Sequence, residues 1–463
     1  MSTTRFALAQ IDTCVGDLDG NAAKVIATTR MARERADVVV FPEMTLTGYP
    51  IEDLALRATF REAAWNKANE LAAQLESEGM GGLYVVVGTV GTDHANGKPR
   101  NRLVVLHGGL VWAGYDKHFL PNYGVFDEFR IFSAGERHVV LSIDGVRVGL
   151  AICEDIWQDG GPVAELAAEH IDVLLTINGS PYEEGKTQIR LDLARRRAAE
   201  VHAPMIYVNQ VGGQDDLVFD GGTFVVDTDG TLLQRSPMFM EDLAYFTLDT
   251  DREHQEVCEV APRMDPDEEV YTACVLGLKD YMAKNGFTGV CLGLSGGIDS
   301  ALVAAMAADA VGGGNVYGIS MPSMYSSQGR KTMPPIWPPT SGRTTTCSRS
   351  NRCTMRSSSS SRWTACPRRT CRRASAASLS WPTRTPRACL RSRPGTSPSS
   401  PAAIRRSTVT RWAATRRSKT CSRPRSGSWR VGATARPPRA WASVDCTSSA
   451  TRRETPVCSC PAV

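Results

Sequence analysis

The sequence predicts an α/β fold of layered sheets and helices, followed by the beginning of a second α/β unit of the nucleotide-binding kind. Apolar strands alternate with amphipathic helices through roughly the first 250 residues. A Gly-rich turn then joins a strand to a helix after residue 294, and apolar content collapses beyond residue 331.

The elements follow in order. Residues 5–11 alternate and read as a strand, and 20–35 carry helical spacing. Residues 36–41 form an apolar strand that stops at Pro42-Glu43. A long helix is expected over 57–78 and strands over 83–91, 102–107 and 110–115, the last two separated by Gly108-Gly109. Residues 139–143 and 146–152 pair as a hairpin about Asp144-Gly145. Helix 163–169, strand 171–177, helix 187–202 and strand 205–210 come next, then a hairpin of 222–227 with 231–236 about Asp229-Gly230. The polar stretch 253–267, with Pro262 and Pro266, reads as a linker. Beyond it lie helix 268–285, buried strand 290–294, helix 301–311 and strand 316–321, the start of a βαβ unit.

A formal net charge of +4 hides a split. Residues 332–463 hold 25 Arg and one Lys against Asp445 and Glu454, a net charge of +24. Residues 1–331 hold 27 basic and 47 acidic side chains, a net charge of −20. The basic part has no Phe or Tyr, and Leu, Ile and Val are 9 of its 132 residues. That is far under the roughly 20% at which a charged chain can bury enough apolar surface to fold, so disorder is expected.

Three readings of this tail arise. A nucleic-acid-binding tail ordinarily uses Lys with interleaved aromatics. A zinc or disulfide module needs repeated cysteine spacing, yet Cys347, Cys353, Cys366, Cys371, Cys389 and Cys421 show none. The third reading is translation in the wrong frame from near 328–331. If the intended codons begin at the third base of each codon in use, with synonymous codons free, residues 331–357 decode as DDAADLAANLGANYYVFAIEPMYDAF. Residues 368–382 then give ENLQARVRGITLMA and residues 394–401 give GNKSELA, all in one common shift.

Three strand ends carry candidate chemistry. Glu43 closes VVVFPE, Lys117 lies in YDKHFLPNYGVFDE, and Cys153 sits in VGLAICED. Amide hydrolysis through an acyl-enzyme needs a nucleophile, a base and an oxyanion stabiliser. A thiol, a carboxylate and an ammonium, helped by the backbone N–H of Glu154, supply all three. One Cys on an apolar strand is ordinarily core, and a lone Lys is ordinarily solvated. The joint pattern is more specific, because each residue follows an apolar strand at an abrupt loop.

These residues together resemble the nitrilase superfamily, whose Glu–Lys–Cys triad matches Glu43, Lys117 and Cys153. The resemblance spans about residues 3–250 and implies a four-layer α-β-β-α sandwich. LPNYGVFDE and NGSPYEEGK look like the glutaminase domain of the glutamine-dependent NAD synthetases. That match implies that Tyr123, Ser180 and Lys186 hold the α-amino and carboxylate groups of glutamine. Glu128 is a further carboxylate near the triad, with Asp127 beside it as the competing assignment.

The second unit opens on Gly293, Leu294, Ser295, Gly296, Gly297, Ile298, Asp299 and Ser300. Consecutive backbone N–H groups at a helix start suit a phosphate. With no Lys present, this is not the Walker loop. It resembles the SGGxDS loop of ATP pyrophosphatases, which implies ATP as co-substrate and Mg²⁺ held by Asp299 through the phosphates. The family reaction adenylates deamido-NAD with ATP, and ammonia from glutamine, carried through an internal tunnel, displaces AMP. ENLQAR and GNKSE, the family's later motifs, occur only in the shifted frame. The resulting division is an amidase domain over 1–252, a linker over 253–267, the N-terminal fragment of a synthetase domain over 268–328, and the basic tail over 329–463.

No run of 18 apolar residues suggests a membrane span, and residues 1–12 lack a signal-peptide pattern. A cytoplasmic protein with reduced thiols is expected, with no membrane or nucleic-acid partner and a homo-oligomer for the full-length form. Two other readings stand beside it: a stand-alone amidase, and a non-catalytic remnant.

Overall fold

The computed structural model describes residues 3–295 and 297–320, and beyond them only the short strands Thr346–Cys347, Met355–Ser357 and Trp363–Ala365. Gly296 and the expected out-of-frame, disordered tail otherwise lie outside the described residues. The chain divides into two units, Met1–Gly286 and Phe287–Val463.

In the first unit the strands are β1 (Thr3–Gln10), β2 (Val38–Val40), β3 (Tyr84–Thr92), β4 (Pro99–His107), β5 (Leu110–Asp116), β6 (Val140–Ile143) and β7 (Val146–Ile152). They continue with β8 (Val173–Asn178), β9 (Met205–Asn209), β10 (Val211–Gln214), β11 (Leu217–Asp220), β12 (Phe224–Val226), β13 (Leu232–Arg235) and β14 (Asp242–Asp249). Two six-stranded sheets result, ordered β14-β1-β2-β3-β4-β5 and β13-β12-β9-β8-β7-β6, with β10-β11 as a separate hairpin.

The helices are α1 (Leu18–Ala32), α2 (Ala58–Ser77), α3 (Glu128–Ile131), α4 (Gly161–Ala168), α5 (Lys186–Val201) and α6 (Pro266–Lys284). The sheets face each other across a core containing Phe6, Leu8, Val38 and Val40 from one and Leu150, Ile152, Leu175 and Ile206 from the other. The opposite face of the first sheet packs Ala7, Val39 and Val85 against Val25, Ile26, Leu71 and Leu75 of α1 and α2. The opposite face of the second packs Leu174, Met205 and Tyr207 against Val163, Leu166 and Ala194 of α4 and α5. This is the four-layer α-β-β-α sandwich. Period-2 alternation sends successive residues into different layers, and both layers are apolar, so the strands read as near-continuous apolar runs. Each fully buried Val, Leu or Ile contributes about 1.5–3 kcal/mol.

In the first unit three strands and the short helix α3 escape the sequence reading. β14 pairs antiparallel with β1 from Thr3↔Asp249 to Gln10↔Asp242, closing the sheet edge over more than two hundred residues. β10 and β11 pair from Val211↔Asp220 to Gln214↔Leu217. The stretch expected as a linker is held along β13: Cys258 N–H donates to the Leu233 carbonyl at 2.7 Å and Ala261 N–H to that of Arg235 at 2.9 Å.

Helix α6 packs against β10 and β11. Asp265 caps its start by accepting from Asp267 N–H at 2.9 Å, and Pro266 occupies its first turn. Asp280 accepts from Gly213 N–H at 2.7 Å. Lys284, at the end of the helix, donates to Asp12 Oδ1 at 2.6 Å and to the carbonyls of Thr13 and Gly213 at 2.7 and 2.8 Å. The docking depends on two glycines, since a Cβ on Gly213 would lie 2.8 Å from Gly277 Cα.

In the second unit, β15 (Val290–Leu294), α7 (Ile298–Val311) and β16 (Val316–Ser320) form a parallel βαβ unit, with Thr346–Cys347, as β17, added beside β16. β15 is not the buried strand the sequence suggests: Cys291 is exposed, and on α7 Ile298 and Leu302 are 78% and 43% exposed. Among the described residues of this unit no further layer covers these apolar positions.

Gly213→Ala is expected to push α6 off the hairpin, lowering stability by about 1–3 kcal/mol. Differential scanning fluorimetry should register a lower unfolding temperature, and limited proteolysis should cut faster within 250–265. An unchanged melt and digestion pattern would contradict this packing.

Candidate active site

The parallel and antiparallel pairings make β2, β3 and β5 run in one direction, and β7, β8 and β9 likewise run together. Glu43 follows the end of β2, Lys117 the end of β5 and Cys153 the end of β7. The segment carrying Glu43 stays beside β3, with Phe41 N–H donating to the Val86 carbonyl and Leu46 N–H to that of Gly88, both at 2.9 Å. Gly88 is required there, since a Cβ would lie 2.2 Å from Met44 N.

Lys117 Nζ donates to Glu43 Oε1 at 2.8 Å and lies 2.8 Å from Glu128 Oε2. All three side chains are buried. Glu43 Oε1 also accepts from Asn101 Nδ2 at 2.6 Å, and its Oε2 accepts from Gly179 N–H at 2.7 Å. Three donors leave this carboxylate one lone-pair direction in which to take a proton. Gly179 follows β8, so Glu43 of the first sheet is hydrogen-bonded across to the second. Tyr49 Oη donates to Glu128 Oε1 at 2.9 Å. The choice between Asp127 and Glu128 resolves in geometry: Glu128 points in, while Asp127 is exposed and pairs with Arg130 at 2.6 Å.

Cys153 opens a short 3-10 turn, Cys153–Ile156, with φ of +44°. A residue with a Cβ pays about 1–2 kcal/mol for the left-handed region. That turn halts the strand and presents the side chain at its end, 5% exposed. Burial pushes the Cys153 thiol up, Glu43 adds to the effect, and Lys117 opposes it. These surroundings favour the protonated thiol over the thiolate. Burial by itself would lower Lys117, but Glu128 and Glu43 more than offset it, so the ammonium stays charged well above its usual range. Burial pushes Glu128 up to about 7, with Lys117 opposing and Glu43 reinforcing the rise.

The remaining expected contacts surround this centre. Tyr123 is half exposed, and its hydroxyl donates to Glu154 Oε2 at 2.7 Å. Ser180 is buried: its N–H donates to Asn209 Oδ1 at 3.0 Å and its Oγ accepts from Arg190 Nε at 3.1 Å. Arg190 is itself fixed by both oxygens of Asp220, at 2.8 and 2.7 Å. Lys186 begins α5, with its ammonium 5.8 Å from the centre of the Trp157 ring. Burial lowers its proton affinity, and Arg190 lowers it further, a state that an anionic ligand would relieve. Sequence reasoning missed Asn101, Gly179, Asp155 and the Arg190–Asp220 pair. Asn101 had a faint signal as a neutral polar residue ahead of the apolar run of β4, and the backbone N–H of Gly179 had none.

In the second unit the described part of the loop folds on itself. Gly297 N–H donates to Ser295 Oγ at 3.3 Å, and Ser300 Oγ donates to the Gly297 carbonyl at 2.9 Å. Among the described residues, a Cβ on Gly297 would meet only the Ser295 hydroxyl, at 3.5 Å. Gly293 and Leu294 end β15, while Ile298, Asp299 and Ser300 form the first turn of α7.

Residues 5–255 match the carbon-nitrogen hydrolase family, and residues 270–333 match NAD synthase. The chain is 40% identical to the glutamine-dependent NAD(+) synthetase of Acinetobacter baylyi, over 71% of this chain and 59% of that protein. It is 38% identical to the enzyme of the same name from Thermotoga maritima, over 71% and 62%. Among solved structures, the glutamine-dependent NAD+ synthetase of Acinetobacter baumannii, in complex with adenosine diphosphate, superposes with a TM-score of 0.67. It is 40% identical, over 71% of this chain and 61% of that one. The chain thus spans about 60% of the length of the curated relatives it matches.

Replacing Lys117 by Met removes the cation between two buried carboxylates and should cost about 3–5 kcal/mol at neutral pH. The pH dependence has a definite sign. Glu128 is already raised from 4.5 to about 7 in the fold. A carboxyl raised in this way favours the fold fully below its unfolded value, and that contribution is lost as pH rises through the folded value. Without Lys117 the rise is larger. Melts of Lys117→Met should therefore lag the parent more at pH 8 than at pH 5; an equal lag at both would contradict the charge arrangement.

Proposed function

The chain belongs to the carbon-nitrogen hydrolase family, and on that footing we propose that its first unit hydrolyses the side-chain amide of L-glutamine to supply ammonia. The observation that carries this is a doubly paired, buried Lys117 bonded to Glu43, with both acting electrostatically on the Cys153 thiol, the three residues following β5, β2 and β7. Glu43 takes the thiol proton as Cys153 Sγ attacks the amide carbonyl. The developing oxyanion meets the Lys117 ammonium and the backbone N–H of Glu154. Glu43 returns the proton to the departing ammonia and then activates the water that cleaves the thioester. Lys186, a desolvated cation, receives the substrate carboxylate. Ser180, placed by Asn209 and Arg190, and Tyr123, bonded to Glu154, hold the amino-acid end.

The whole chain is by descent a glutamine-dependent NAD synthetase, a carbon–nitrogen ligase. In that reaction ammonia amidates deamido-NAD adenylated by ATP. The loop of the second unit fits a phosphate-bearing ligand: it lies at the N-terminus of a 14-residue helix and is open above Gly297. Gly293, Leu294, Ser295, Gly297, Ile298 and Ser300 would cradle ATP, together with Gly296. Asp299 would hold Mg²⁺, which when bound neutralises phosphate charge. Among the described residues no helix is long and apolar enough to cross a membrane. We place the protein in the cytoplasm and expect a homo-oligomer of the full-length form.

The synthetase half of this chain is defective in this reading, because the later family motifs exist only in the shifted frame. A stand-alone amidase is the second reading. It is favoured by the complete first unit beside a second unit whose Ile298 and Leu302 lie exposed. Glutamine hydrolysis measured with and without deamido-NAD and ATP separates the two. Ammonia released but never incorporated supports the amidase; NAD formation supports the synthetase.

Cys153→Ala should abolish glutamine hydrolysis while leaving the melt of the first unit unchanged. Burst acylation by glutamine in that variant would sink the nucleophile assignment. Inserting one nucleotide near codons 328–331 should replace the basic tail by an apolar-rich sequence and confer ATP-dependent NAD synthesis. Coding DNA whose shifted frame fails to read through the three decoded segments would defeat the frame-change reading.

A further inference from the structure

We propose that Asp155 is a positioning residue that locks the nucleophile turn of one sheet to the lysine loop of the other; this rests on the amidase reading above. Its carboxylate is fully buried. Oδ2 accepts from Ile152 N–H at 2.9 Å and from the Tyr115 hydroxyl at 2.7 Å. Oδ1 accepts from His118 N–H at 3.0 Å and from Phe119 N–H at 2.9 Å. Ile152 immediately precedes Cys153, and His118 and Phe119 immediately follow Lys117. Tyr115 lies on β5 in the first sheet, while Ile152 ends β7 in the second.

Four donors fill the four acceptor directions of one carboxylate. Three are backbone amides, which can only donate, so both oxygens must accept. The bond from Ile152 closes the turn around Cys153, whose φ of +44° must be maintained against its own strain. The two bonds from the lysine loop fix where Lys117 leaves its strand. Asp155 therefore sets the distance between nucleophile and oxyanion-holding ammonium without touching either side chain. Burial pushes its carboxyl up, while Phe119, Tyr115 and Ile152 pull it down. An Asn at this position has the same shape but turns an NH₂ toward one pair of donors. Whichever way the amide faces, one half of the clamp becomes donor against donor.

The test compares Asp155→Asn with the parent full-length chain, well below both unfolding temperatures. Glutamine hydrolysis should lose about 100-fold in kcat, the scale of a small misplacement of reacting groups. KM should stay within about twofold, because no substrate contact is removed. Alkylation of Cys153 by iodoacetamide, followed on its own peptide by mass spectrometry, should slow. Of the charged groups around the thiol, Lys117 draws its proton affinity down, while Glu43, Glu128 and Glu154 raise it; displacing Lys117 leaves the raising groups unopposed. A lowered melt with parental kcat and parental labelling would reduce Asp155 to a fold-stabilising role and overturn the proposal, as would a raised KM with kcat retained. Labelling needs no substrate. A parent that hydrolyses no glutamine would sink the glutaminase reading, while the labelling comparison still decides the role of Asp155. If Asp155→Asn does not fold, Tyr115→Phe removes one donor of the four, and kcat should then fall by about threefold to tenfold. Parental kcat in that variant overturns the proposal.

Discussion

The buried Lys117 ammonium is the constraint around which the first unit is arranged. A cation removed from water is tolerated only when paired and hydrogen-bonded, and here it has Glu43 on one side and Glu128 on the other. Each carboxylate then needs donors of its own. Glu43 takes them from Asn101 and the Gly179 amide, and Glu128 from Tyr49. The network reaches from the end of β2 to the end of β8, so the two sheets cannot slide past one another without breaking a charge-assisted bond. Lys117 and Glu43, the proposed oxyanion-holding cation and base, are thus fixed by the same bonds that join the layers.

The polar shell is built on glycine clearances and on carboxylates that accept from backbone. Gly88 lets the Glu43 segment lie against β3, and Gly213 lets α6 lie against the β10–β11 hairpin. Asp220 closes that hairpin and holds Arg190, which in turn bonds Ser180 through its hydroxyl and its carbonyl. Helix α6 therefore packs on the same hairpin whose last residue, Asp220, holds Arg190. The segment matching NAD synthase begins at residue 270, inside this helix. The family boundary and the packing boundary are thus offset along the chain, the latter falling at Gly286.

Among the described residues of the second unit, no further layer covers the βαβ start. A parallel strand needs cover on both faces, yet Cys291 and Leu302 remain exposed around an otherwise regular βαβ start. The described part of its loop is held by local bonds among Ser295, Gly297 and Ser300, which depend on only a few consecutive residues.

The sequence alone determined the elements with strong periodicity, among them α1, α2 and the β6–β7 hairpin, because helix and strand spacing is a local property. It also determined the candidate chemistry, since Glu43, Lys117 and Cys153 each stand where an apolar strand stops. The sharp collapse in apolar composition after residue 331 was likewise legible without coordinates. Only the tertiary structure decided which groups meet. Glu43 and Lys117 are 74 residues apart, β14 finds β1 across the whole unit, and Glu128 rather than Asp127 turns inward. Asp155, Asn101 and the Gly179 amide had little or no distinctive local signature, because their partners arrive from other strands. Periodicity records which face of an element is dry. It does not record which distant donor will reach a buried carboxylate, and that depends on how the two sheets are stacked.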